Sequence, residues 1–267
     1  MSDQPNQAES VAQPATVATP PLLSGVAPAR AGSSDTLVQR RAVALAEIVL
    51  CSSVPTQLAI ALILRFAGWT PLDETGQLSL RYVMALSLAD FLLLLALMVG
   101  LTRAHGDSAV ELWLGHRPPG REALVGVALI PAIFLVAVVL MNSLRVIAPG
   151  LHNVTENPLE HLARTPAQAA LFGLVAIFAG GVREELQRAF LLRRFDDLGG
   201  PIVGVILLSV GFGIGHIVQG WDAVLTTGAM GAFWAVIYLR RGSAIAPVVS
   251  HAGFNSLEIL RVLAGGQ

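Results

Sequence analysis

The sequence predicts an all-α polytopic membrane protein, with about seven transmembrane helices in a bundle around a buried polar site. Three observations carry that prediction. The 267 residues are 54% hydrophobic and only 13% charged, with a mean hydropathy of +0.66, whereas soluble domains carry about 25% charged residues. Apolar stretches recur at lengths close to the roughly 20 residues that cross about 30 Å of hydrocarbon. Polar side chains, namely Arg183, Glu184, Glu185, Arg188, His216, His251 and Asn255, interrupt three of those stretches. At that depth a charged group costs at least a few kcal/mol, so it faces the bundle interior and does chemistry or transport there.

The composition also excludes some classes. The net charge is -1 and no segment forms a long basic run, so the expected partners do not include nucleic acid. The single cysteine, Cys51, rules out an intramolecular disulfide framework and a cysteine zinc cluster, and it reads as a packing residue.

Along the chain, residues 1–35 are rich in Ala, Pro, Ser, Thr and Gln and read as a disordered tail, because such a segment buries too little surface to order itself. No basic segment precedes a short apolar core near the start, so the tail is not a signal peptide and the first apolar segment stays as an anchor. Residues 36–267 then form the membrane domain, with spans expected at 43–67, 82–102, 123–143, 168–194, 201–219, 223–239 and 244–263.

The fourth span is unusual. Its first half, AQAALFGLVAIFAGG, is plainly apolar, while its second half, VREELQRAFLLRRF, mixes charges with apolar residues and stops at Gly199, Gly200 and Pro201. This is a helix running through a protein-lined interior to a Gly-Pro stop. Arg40 and Arg41, then Arg103, Arg117 and Arg121, then Arg193 and Arg194, then Arg240 and Arg241 all fall on one side of the membrane. The positive-inside rule makes that side cytoplasmic, with the N-terminus.

Other features read as structural. Glu47 and Asp90 are isolated acids that pair within the bundle or near an interface, outside the site. Gly211, Gly213 and Gly215 form a small-residue face for close helix approach. Trp113, in VELWLGHRPPG, reads as lying on an interfacial amphipathic segment. Asn153, Val154 and Thr155 form a glycosylation sequon, informative only in a secretory pathway.

The chemistry lies in the polar stripes. Glu184 and Arg188 are four apart, so they share a helical face and can pair, while Glu185 is rotated by about 100°. Phe212 and His216 are also four apart, as are His251 and Asn255, so three helices each present a polar face. A carboxylate beside a neutral imidazole takes a proton from water, and Asn with a second His donates hydrogen bonds to a developing oxyanion. Together these groups suffice to hydrolyse an amide.

The residues resemble the CPBP intramembrane proteases, a family that includes the type II CAAX prenyl endopeptidases and bacterial Abi proteins. Its pattern is EExxxR, then FxxxH, then HxxxN or HxxxD, on successive membrane helices. FGIGH (Phe212 to His216) and HAGFN (His251 to Asn255) match the second and third motifs in order, and the likeness covers roughly residues 166–263.

The resemblance implies an intramembrane endopeptidase in a bacterial cytoplasmic membrane, acting on a membrane-anchored protein or peptide of CAAX type and using no cofactor. Glu184 and His216 would activate water, and His251 and Asn255 would stabilise the oxyanion. The first motif departs from the pattern: EELQR puts Arg188 four residues after Glu184 where the family has five. Matching the flank RAFLLRRF instead puts Arg183 at the first glutamate position and Glu184 at the second. Glu184 is a glutamate in either register, with Glu185 as the competing group.

Plainer readings stand beside this one. The arginines and acids of the fourth span can form a solvated helix end with Arg193 and Arg194 snorkelling. His216 can be a core histidine, and Asn255 can tie helices together. The alternative chemistry is a zinc metalloprotease whose open site uses Glu184, His216 and His251, although no HExxH is present. The non-enzymatic alternatives are an immunity or scaffold protein and a proton-linked transporter.

Overall fold

The structure, a computed structural model, describes residues 34–265. The expected tail falls outside the described residues except at positions 34 and 35, which already belong to the first helix. That helix, α1 (Ser34–Leu50), and α2 (Val54–Phe66) together make up the first expected span. They are separated at 51–53, where Ser53 has φ 70° and Pro55 occupies the first turn of α2.

The chain continues through α3 (Leu80–Ala104), the short α4 (Ala109–Leu114) and α5 (Pro119–Ile147). Next, α6 (Pro166–Val175) runs without a break into a π-helical stretch, Ala176–Arg183, and then into α7 (Glu184–Phe195). The bundle closes with α8 (Pro201–Ile214), α9 (Trp221–Arg241) and α10 (Ile245–Gly265).

Local sequence sets these boundaries. Thr165 and Gln168 form a reciprocal capping box that starts α6, satisfying backbone N–H groups that a helix start leaves free. The Gly-Pro stop behaves as the sequence predicts: Gly200 adopts φ 87°, which a Cβ would disfavour, and Pro201 opens α8.

Among the described residues, four helical stretches are long and apolar enough to cross a bilayer: Thr36–Phe66, Leu80–Ala104, Ala109–Ile147 and Trp221–Arg241. The other expected spans are helical, but α8 is only 14 residues long, and α6 through α7 and α10 carry the polar site. Large apolar side chains such as Phe66, Leu124, Leu135 and Ile202 point outward, while Glu47, Asp90, Glu122, Glu185 and Asp222 are buried. That inverted distribution suits hydrocarbon as the solvent, and the protein is an integral membrane protein.

Several arginine clusters gather at one end of the bundle. There Arg194 pairs with Glu47 at 2.6 Å, Arg117 donates to the Arg241 carbonyl at 2.9 Å, and Arg241 clasps buried Glu122 at 2.5 and 2.7 Å. Arg194 is therefore a buried ion-pair partner, not a snorkelling interfacial residue as the plainer reading had it.

Two structural expectations are corrected. Trp113 is buried, with its indole N–H donating to the Leu186 carbonyl at 3.0 Å, because α4 folds inward onto α7. Of Gly211, Gly213 and Gly215 at the end of α8, only Gly213 makes a close helix approach, to the Val224 carbonyl on α9; Gly211 faces open space and Gly215 meets only its own helix.

The close approaches that matter for the site involve α10. A Cβ at Gly126 of α5 would lie 2.7 Å from the Val249 side chain, and one at Gly181 of the π stretch would lie 2.6 Å from that of Ala252. Helix α10 is thus held tightly between α5 and the π stretch, which fixes where His251 and Asn255 stand.

Candidate active site

The glutamates lie at the junction of the π stretch and α7. A π turn widens the helix and re-aims the side chains that follow, an arrangement common at functional sites. Two carbonyls of this stretch are taken by side chains: Ala179 O accepts from Arg183 Nε at 3.1 Å, and Ala176 O accepts from Asn255 Nδ2 at 3.0 Å.

Glu185 is buried within the bundle. Its Oε1 accepts a hydrogen bond from Arg188 and another from His251 Nδ1 at 2.8 Å. The expected pairing of Arg188 with Glu184 is therefore corrected. Arg188 serves the i,i+3 carboxylate of Glu185, because a fully enclosed carboxylate needs charged partners.

Glu184 is the more open acid, its side chain 21% exposed. Arg183 donates to its Oε1 at 2.9 Å, while its Oε2 stands 3.8 Å from His251 Nε2. That gap is too long for a direct hydrogen bond.

His251 is fixed on every side. Its ring stacks on Trp234 with centroids 3.9 Å apart and planes 13° apart, and it meets the edge of Phe212 at 5.9 Å. Since Glu185 accepts from Nδ1–H, a neutral His251 presents the lone pair of Nε2 toward Glu184. His216 lies on the other flank of Phe212, 4.8 Å from that ring. Its Nδ1 donates to the Phe212 carbonyl at 2.8 Å, which likewise leaves Nε2 as the acceptor.

Of the residues singled out from sequence, Glu184, Glu185, Arg188 and His251 form one connected network. His216 joins it through the Phe212 ring. Asn255 stands one turn beyond His251 and spends one of its two amide N–H groups on the π stretch, against Gly180, where a Cβ would come within 2.6 Å of Nδ2. In this arrangement Asn255 ties α10 to the glutamate-bearing element.

Sequence reasoning left out Asp90, which is fully buried and accepts from Arg183 at 3.0 Å. An acid in the middle of an apolar helix was the available signal. Ser53, Gln187 and Trp234, also part of these surroundings, gave no comparable signal.

The zinc alternative meets a difficulty of arrangement. Among the described residues, no three His, Cys, Asp or Glu side chains converge at metal-binding spacing, and His251 Nδ1 is already bonded to Glu185. Glu184, His216 and His251 do not form a ready ligand set in this geometry, so no step is routed through a metal.

Comparison with known proteins adds one match. Residues 166–257 match the family model described as Type II CAAX prenyl endopeptidase Rce1-like. The match runs from the start of α6 into α10 and includes Glu184, Glu185, Arg188, His216, His251 and Asn255, while Asp90 and Ser53 lie outside it. No curated protein and no solved structure matches the chain.

Proposed function

Because residues 166–257 match the family model of the Rce1-like type II CAAX prenyl endopeptidases, we propose that this protein is an intramembrane endopeptidase with Glu184 as its general base. The substrate is a membrane-anchored protein, cut near a lipidated C-terminus that the bilayer delivers to the bundle. The observation that carries the reading is the 3.8 Å gap between Glu184 Oε2 and His251 Nε2. A water in that gap would sit beside two acceptors, within hydrogen-bond reach of a base.

In the proposed reaction Glu184 takes a proton from this water as its oxygen adds to the scissile carbonyl carbon. Protonated Glu184 then gives that proton to the leaving nitrogen as the C–N bond breaks, leaving a carboxylic acid and an amine, between which a proton passes to give carboxylate and ammonium. Glu185 and Arg188 hold the His251 ring by its far nitrogen. His251 thus partners the glutamate, the role the sequence motif assigned to His216. His216 is the second imidazole, available across Phe212 to the substrate. Asn255 holds the Ala176 carbonyl with one of its two Nδ2 hydrogens, which places α10 and leaves the second hydrogen as a donor for an oxyanion.

The test is cleavage of a panel of lipidated and unlipidated membrane-anchored reporters in proteoliposomes. Wild type should cleave a lipidated reporter, Glu184→Gln should reduce kcat by about 100-fold or more, and a strong chelator should leave the rate unchanged. Loss with chelator that zinc restores would move the assignment to a metalloprotease. A folded wild type that cleaves no reporter would favour the non-enzymatic alternatives, an immunity or scaffold protein or a proton-linked transporter.

A further inference from the structure

A second polar cluster lies directly behind Glu184, on the side away from His251. Arg183 is buried, and all three of its guanidinium nitrogens are engaged. Nε donates to Ala179 O at 3.1 Å. Nη1 lies 2.5 Å from Ser53 Oγ, 3.0 Å from Asp90 Oδ2 and 3.4 Å from Gln187 Oε1. Only Nη2 reaches Glu184, at 2.9 Å.

Asp90 is in turn fully enclosed, accepting from Thr56 Oγ1 at 2.5 Å and Gln57 Nε2 at 3.2 Å. Gln187 ties the same knot to the helix break, donating to Cys51 O at 2.6 Å and to Ser53 Oγ at 3.0 Å. The break itself is held in a conformation that a non-glycine residue avoids, with Ser53 at φ 70°. Strain of this kind persists where the surroundings over-determine it, and it clusters at functional sites.

Resting on the reading of Glu184 as the base, we infer that Arg183 and Asp90 are its positioning residues, anchored by the strained turn at Ser53. Asp90 neutralises and aims the guanidinium, and the guanidinium fixes Glu184 Oε1. Glu184 Oε2 is thereby the oxygen left facing the His251 edge. The α1–α2 break and α3, which lie outside the matched domain, thus determine the geometry of a base that lies inside it. Asp90 touches no reacting atom and acts only through Arg183.

The test measures kcat and KM on a membrane-anchored reporter for full-length Asp90→Asn, Arg183→Gln, Arg183→Lys and the double variant Asp90→Asn/Arg183→Gln. Each is checked for folding by thermal melting in detergent. Misplacing a catalytic group costs on the order of 100-fold, so Arg183→Gln should lower kcat by about that factor with KM little changed. Asp90→Asn should lower kcat by about tenfold or more. Arg183→Lys should recover part of the loss, as a point charge that lacks the fork.

The double variant should be no slower than Arg183→Gln, the non-additivity expected of residues acting in series. It also removes both buried charges, so it stays folded if a single variant does not. Additive losses in the cycle, losses confined to KM, or folded variants with wild-type kcat would each overturn the inference. Those outcomes leave the base assignment intact if Glu184→Gln is inactive, whereas an active Glu184→Gln would remove that assignment itself.

Discussion

Two adjacent glutamates, one residue apart in sequence, have opposite surroundings. Glu185 is enclosed by Arg188, His251 and the α7 core, while Glu184 keeps part of its side chain open and one oxygen uncommitted. Removing one partner of a buried ion pair leaves an uncompensated charge and costs about 3–5 kcal/mol. Glu185→Gln is therefore expected to lower stability by about that amount, read as an earlier midpoint in a denaturant titration in detergent. Glu184→Gln should leave that midpoint nearly unchanged. A Glu185→Gln protein as stable as wild type would mean that Arg188 finds another counter-charge. The sequence made both acids visible, but its i,i+4 spacing pointed Arg188 to Glu184 and not to Glu185. Residues 184 and 185 differ by only one helical step, and the π stretch before them changes which way that step points.

At the scale of elements, the site depends on how closely α10 approaches the π stretch. Gly181 and Ala252 meet where no side-chain carbon fits between them, and Gly126 permits the same closeness at Val249, one turn earlier on α10. Overpacking such a contact costs about 1–3 kcal/mol. Gly181→Val should lower the melting temperature and also lower cleavage, because it moves His251 away from Glu184. The paired readout matters: a variant that melts early yet cleaves at the wild-type rate would show that the α10 contact serves stability alone. Most helix positions were legible from apolar length, and the Gly-Pro stop at 199–201 was legible from its residues. The inward fold of α4 was not, since Trp113 suits an interface and a buried indole with a carbonyl partner equally well. Nor was the π stretch, because AIFAGGVR has no feature in composition that separates it from an ordinary helical turn.

Over the whole molecule, the matched region supplies the glutamates, His216 and His251, and the preceding helices supply Ser53 and Asp90, which hold Arg183 beside Glu184. Sequence pattern revealed the first half because the proposed chemistry requires particular residue types at particular spacings. It was nearly silent on the second, because Ser53, Thr56 and Gln57 are ordinary residues that matter here only through their position. The shortness of α8 bears on the membrane itself. At about 1.5 Å per residue its 14 residues rise only about 21 Å, well under the roughly 30 Å of a typical hydrocarbon layer. His216 follows directly in a turn. Beside α8, with Ile202, Ile206, Leu207 and Val210 facing outward, lipid must thin to match the helix, at a cost that grows with each ångström of mismatch. Such thinning would bring water nearer His216, which follows α8 directly. Cleavage should therefore be fastest in short-chain phosphatidylcholine vesicles and slow as the acyl chains lengthen, with a rate indifferent to chain length counting against this account. The local depth of the bilayer would set how readily the hydrolytic water arrives.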